Sequence, residues 1–213
     1  MSSTSITSVP SIVLGVNYAN DTKASARETF LNVYRDCTGR FDRLIPEDQQ
    51  FITLAAEQSP TEPLCEIEQM LREGLLLEQY VGIDTDAKVI IANRLAYPKM
   101  KFIHADWMSA ILAMEPFTPA LIHYDTKNQA DSESAIATLA STMELAPKGC
   151  FIAANFCTRN PYSGAAISID IVAERLADYM GTKLNDWDAC GQFSYTGDGC
   201  AAGMSYLMLR RVA

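Results

Sequence analysis

Three carboxylates stand at the ends of short apolar runs. Asp84 closes Tyr80-Val81-Gly82-Ile83, Asp106 follows Lys101-Phe102-Ile103-His104-Ala105, and Asp125 follows Ala120-Leu121-Ile122-His123-Tyr124. An ionised carboxylate only accepts hydrogen bonds. A row of them suits a ligand rich in hydroxyl and amino groups, such as a nucleoside. Asp125 is also placed to take a proton from a bound acceptor; its plainer role would be a helix cap or a loop hydrogen bond. Lys127 adds a cation two positions on, and Asn155 stands near the end of a further run, Cys150 to Phe156. His104 and His123 each precede an acid by two residues, so each shares a sheet face with it. A packed, hydrogen-bonded core imidazole is the simpler reading of both. Tyr124 faces away from Asp125 in a regular strand.

The elements that would carry these residues alternate strand with helix. Helical stretches separate the runs, which predicts an open, mostly parallel α/β sheet. Ligands bind such sheets outside the carboxyl ends of the strands. Residues 1–8 read as a tail, and Ile12 to Val16 as an edge strand or a segment packed over the core. Asp21 or Thr22 caps a helix whose apolar positions include Ala26, Phe30 and Cys37, and Gly39 ends it. That helix covers the sheet or closes over substrate. The first core strand spans 51–56. Ser59 and Glu62 have capping-box spacing ahead of a helix over 64–73. The second strand ends at Asp84, a helix spans 87–96, and the third strand ends at Asp106. A short helix through Ile111-Leu112 precedes the fourth strand, which ends at Asp125. A helix over 131–146 leads to the fifth strand. The next helix carries Ile167, Ile171, Leu176 and Tyr179 and stops at Gly181. Two strands, 190–196 and 204–212, then follow, with a Gly197-Asp198-Gly199 turn and no helix between them. If paired, they pair antiparallel.

A chain of 213 residues suits one domain with a real core. Residues 1–50 form a tail and covering helix, and residues 51–213 the α/β domain. The formal charge of -9 disfavours sequence-independent nucleic-acid binding, which relies on Lys and Arg. No apolar run approaches the roughly 20 residues that span a bilayer. The six cysteines show no C-x-x-C pair and no Cys/His cluster that would hold a metal. They read as free thiols in a cytoplasmic protein.

Five β-α units followed by a terminal strand pair resemble the class I S-adenosylmethionine-dependent methyltransferases over Phe51 to Val212. The resemblance implies a Rossmann-like seven-stranded sheet, mostly parallel with an antiparallel C-terminal strand. It implies S-adenosylmethionine as cofactor and an unidentified small-molecule or protein acceptor. Asp84, with Thr85 beside it, matches the acid that binds the cofactor's ribose hydroxyls. Asp106 and Trp107 match the acid that takes the adenine amino group and the residue that flanks the ring. Ala55, Ala56 and Glu57 open the loop that runs beside the methionine end. Asp125, Lys127 and Asn155 fall at the acceptor side, with Asp125 also within reach of the cofactor. The family's loop after strand one is glycine-rich, whereas Ala55-Ala56-Glu57-Gln58-Ser59-Pro60 has no glycine. A catalytically inactive protein of the same fold, serving as an interaction module, is therefore the competing expectation. A nicotinamide enzyme lacks its G-x-G-x-x-G. Metal-dependent catechol-type relatives carry Asp-Asn where this chain has Ala154-Asn155, so no metal site is expected. Asn160-Pro161-Tyr162 has a weak likeness to the motif of amino-methylating DNA enzymes and reads as a turn. The terminal strand pair could leave an edge for a homodimer.

Overall fold

The computed structural model describes residues 22–56, 65–159, 163–196 and 203–213. In chain order it contains α1 (Thr22–Thr38), β1 (Gln50–Leu54), α2 (Glu66–Arg72), β2 (Tyr80–Asp84), α3 (Ala87–Ala96), β3 (Lys101–His104), α4 (Trp107–Ala113), β4 (Pro119–Gln129), α5 (Glu133–Leu145), β5 (Phe151–Cys157), α6 (Asp170–Met180), β6 (Trp187–Thr196) and β7 (Gly203–Arg211). The expected features at residues 1–8, 12–16, Ser59, Glu62, Asn160 to Tyr162 and Gly197 to Gly199 lie outside the described residues, as does Glu57.

The strands form one seven-stranded sheet in the order β3-β2-β1-β4-β5-β7-β6. β1 pairs parallel with β2 and β4, β2 with β3, and β4 with β5. β7 is antiparallel to both β5 and β6. The strand order reverses between β1 and β4, which is where ligands sit in open sheets of this kind.

Both faces of the central strands are covered, as continuous apolar runs require. One core joins Ile52, Ile83, Ile122, Tyr124 and Ile152 to α4, α5 and α6. The other joins Phe51, Tyr80, Phe102, Leu121, Phe151 and Tyr206 to α1, α2 and α3. Strand periodicity therefore puts Thr53, His123, Asp125 and Asn155 on the α1 side. α1 buries Ala26, Phe30, Leu31 and Tyr34. It runs opposite to the parallel strands. Its first turn reaches Asp125 near the carboxyl end of β4. Its last turn offers the Cys37 carbonyl to Arg210 Nη1, and Arg210 pairs with Phe151 at the start of β5. Gly39, at φ 69°, ends it.

Several boundaries differ from expectation for identifiable reasons. β3 stops at His104, because Asp106 accepts the Ser109 N–H and caps α4. β4 continues past Asp125 to Gln129, with an irregular register against β5 between those residues. α6 begins at Asp170, so Ile167 lies outside it. Its buried face is Val172, Leu176 and Met180, while Tyr179 points to solvent.

Candidate functional site

The carboxyl ends of β2 and β3 lie side by side, with Asp84 opposite His104 in the register. Asp84 Oδ1 accepts the Asp86 N–H at 2.7 Å, and Asp86 in turn caps α3 through the Lys88 N–H at 2.8 Å. His104 Nε2 bonds the Thr85 carbonyl at 2.9 Å, which fastens the turn after β2 to β3. Asp106 is exposed. Hydrogen bonds from Ser109, side chain first and then backbone, hold its carboxyl below the ordinary value. Two carboxylates, Asp84 half-buried and Asp106 exposed, thus stand at neighbouring strand ends.

Trp107 does not join them. It is 6% exposed, and its indole N–H donates to Thr142 Oγ1 at 2.8 Å while the ring meets Tyr124 edge-on. Its ring is packed in the core and does not stand open beside Asp106. Trp107 is the first residue of α4, and its side of that helix faces the core. Beside β2, Ala55 is buried, its N–H bonding the Ile83 carbonyl at 2.9 Å, and the exposed Ala56 offers its carbonyl to Asn93 Nδ2 at 2.9 Å. A Cβ on Gly82 would lie 3.0 Å from Ala55 Cβ and 2.8 Å from Phe102 Cδ1. The glycine therefore lets β2 pack closely against Ala55 and Phe102.

A second cluster lies at the ends of β4 and β5. Asp125 pairs in register with Asn155, and Asn155 with Tyr206. Asn155 Nδ2 donates to Asp125 Oδ1 at 2.7 Å and to the Tyr195 hydroxyl at 2.9 Å. Lys23 of α1 brings its ammonium to 3.7 Å from Asp125 Oδ2. Asn155 Oδ1 is buried with no hydrogen-bond partner. Burial, and next the Asp125 charge, raise the hydroxyls of both Tyr195 and Tyr206, so both remain phenols at neutral pH. Lys127 lies in β4, but its side chain is outside what the structure describes.

Beneath this cluster a buried chain of polar groups crosses the sheet. Glu66, in the first turn of α2, meets His123 Nδ1 at 2.5 Å and accepts the Tyr80 hydroxyl at 3.1 Å. His123 Nε2 lies 2.9 Å from the Tyr206 hydroxyl. Burial pushes the Glu66 carboxyl up, but the His123 charge and hydrogen bond, with help from Arg27 and Tyr80, outweigh it and leave the carboxyl below its ordinary value. His123 is thus a packed, hydrogen-bonded core imidazole, while His104 is exposed.

Sequence reasoning brought Asp125 and Asn155 forward and missed Glu66, Lys23, Tyr195 and Tyr206. Alternation over Phe193-Ser194-Tyr195 could have put Tyr195 on the apolar face. Nothing local marks Glu66 as buried. Among the described residues no group of three Cys, His, Asp or Glu side chains is arranged to hold a metal ion.

Neither a family model nor a curated protein matches the chain in sequence. Solved structures do match. The N-methyltransferase NodS from Bradyrhizobium japonicum WM9 superposes with TM-score 0.59 at 9% identity, over 92% of this chain and 99% of that one. The plantazolicin methyltransferase BamL, solved with S-adenosylhomocysteine, gives 0.60 at 10% identity, over 92% and 87%. A type 11 methyltransferase described from Sulfolobus solfataricus gives 0.51 at 10% identity, over 88% and 92%. The chain has the fold of the class I S-adenosylmethionine-dependent methyltransferases.

Proposed function

We propose that the protein is an S-adenosylmethionine-dependent methyltransferase acting on a small-molecule or protein acceptor. The observation that carries this reading is the pair Asp84, half-buried, and Asp106, exposed, at the adjacent carboxyl ends of β2 and β3, on the edge of the sheet where ligands of open α/β sheets bind. S-adenosylmethionine supplies a methyl group on a positively charged sulfur. Its nucleoside fits the donor set. Asp84 would accept ribose hydroxyls with the oxygen not engaged by Asp86, and Asp106 would accept the adenine amino group, each an acceptor facing a donor. Ala55 and Ala56 would line the methionine side, and Asp125 with Asn155 the acceptor side. A cytoplasmic location belongs to this reading. No described helix is long and apolar enough to cross a membrane, and the described cysteines are free thiols. A homodimer joined at the β6 edge is a further part of it, and sedimentation velocity reads that directly.

The burial of Trp107 favours a second reading, a catalytically inactive interaction module of the same fold, because one expected wall of the adenine pocket is spent in the core. Calorimetric titration with S-adenosylmethionine and S-adenosylhomocysteine, with NAD as control, separates the two. The methyltransferase reading expects micromolar binding of both sulfur nucleosides and none of NAD. No binding by folded protein moves the assignment to the module. Asp84→Ala is expected to weaken S-adenosylhomocysteine by about tenfold to a hundredfold, the worth of hydrogen bonds to a charged group, while the melting temperature barely moves.

A further inference from the structure

The geometry points to an amine as the acceptor class: a ligand that binds as its ammonium against Asp125, beside Asn155, where the Lys23 ammonium now reaches, and that gives one proton to the Asp125 carboxylate before its nitrogen lone pair bonds the methyl carbon as the methyl–sulfur bond breaks and the electron pair stays on sulfur. This rests on the methyltransferase reading above and deepens it.

Three observations converge. The Asp125 carboxylate is held in place by Asn155 Nδ2 at 2.7 Å, and its side chain is only 24% exposed, so it is an oriented anion at the rim of the core. The chain already sets an ammonium against it. Lys23 stands 3.7 Å away on a side chain that is 59% exposed, a loose, solvent-screened contact that is easily displaced. The third observation is independent of charge. Asn155 Oδ1 is buried with no partner, and its amide group is oriented by the two bonds its nitrogen donates. A buried acceptor left without a donor is destabilising, and a ligand N–H would relieve it.

Other acceptor chemistries fit less well. A carboxylate would meet the Asp125 charge. An alcohol brings one donor and no charge to the Asp125 anion. An ammonium brings up to three donors and the complementary charge. Arg27, one turn further along α1, donates to Gln69 and acts on Glu66.

Ligand-observed NMR with benzylamine, benzyl alcohol and benzoate at millimolar concentration tests this without any transfer reaction. The wild type is expected to bind benzylamine at least tenfold more tightly than the other two. Lys23→Met, which removes the competing ammonium, is expected to tighten benzylamine severalfold, a gain that mere damage to the fold would not produce. Asp125→Asn is expected to weaken it tenfold or more. Equal binding of alcohol and amine, no binding of benzylamine to any variant, or an unchanged affinity in both variants overturns the proposal. S-adenosylhomocysteine titrated into the same samples keeps the two readings apart. Its binding without amine preference overturns the acceptor class alone. Amine preference without it overturns the methyltransferase reading and leaves the amine site standing.

Discussion

Glu66 shows how one residue can be at once expensive and indispensable. A carboxylate in the first turn of α2 and 6% exposed would ordinarily take up a proton. It stays ionised because His123, Tyr80 and Thr53 surround it with donors. Removing one partner of a buried pair strands the other. Glu66→Gln keeps the shape, removes the charge and leaves His123 without its anion. We expect it to lose about 3–5 kcal/mol of unfolding free energy in urea at pH 7. An effect below 1 kcal/mol would mean that the network is incidental. Trp107→Phe is milder. It loses the bond to Thr142 and leaves the Thr142 hydroxyl its bond to the Thr138 carbonyl, so about 1–2 kcal/mol is expected from the same measurement.

At the scale of elements, the seam between β1 and β2 decides whether the loop after β1 can approach a ligand. Gly82 sits in that seam. Adding a Cβ there drives it against the Phe102 ring, which is itself packed against Tyr80. Gly82→Ala is expected to cost about 1–3 kcal/mol as an overpacked core does. On the proposed reading it should also weaken S-adenosylhomocysteine binding, because Ala55, whose Cβ it also meets, opens the loop expected to run beside the methionine end. A variant of unchanged stability would show that Phe102 moves aside freely. α1 is the other element with a double role. Phe30 packs on His123 and Tyr206 with centroids 4.9 Å and 5.5 Å apart, which fixes the helix on the sheet and thereby carries Lys23 to Asp125.

For the whole molecule these buried groups set the pH range of stability. The folded Glu66 carboxyl lies below its unfolded value of about 4.3, so its contribution is present above that pH and is lost as pH falls through the folded value. Tyr80 and Tyr206 lie well above about 10, raised first by burial and then by Glu66 and Asp125 respectively. Their contribution is complete below pH 10 and is lost as pH rises beyond it. Unfolding free energy measured in urea should therefore show a plateau from about pH 5 to 9 and fall on both sides. In Glu66→Gln the acid limb should flatten; an unchanged acid limb would assign it to other carboxylates.

The sequence by itself determined the order of elements and the places of Asp84, Asp106 and Asp125, because apolar runs, their lengths and the residues that end them are local properties. The antiparallel terminal pair was legible for the same reason, since strands without a crossover have no other way to pair as neighbours. Only the tertiary structure decided which way Trp107 points, because the residue after a strand-end acid can open a helix whose inward side belongs to the core. Only it could reveal Glu66 beside His123, 57 positions apart in sequence, or Lys23 across from Asp125. Burial, charge pairing and an orphaned acceptor at Asn155 belong to the packing of distant segments, and no local pattern of residue types encodes them.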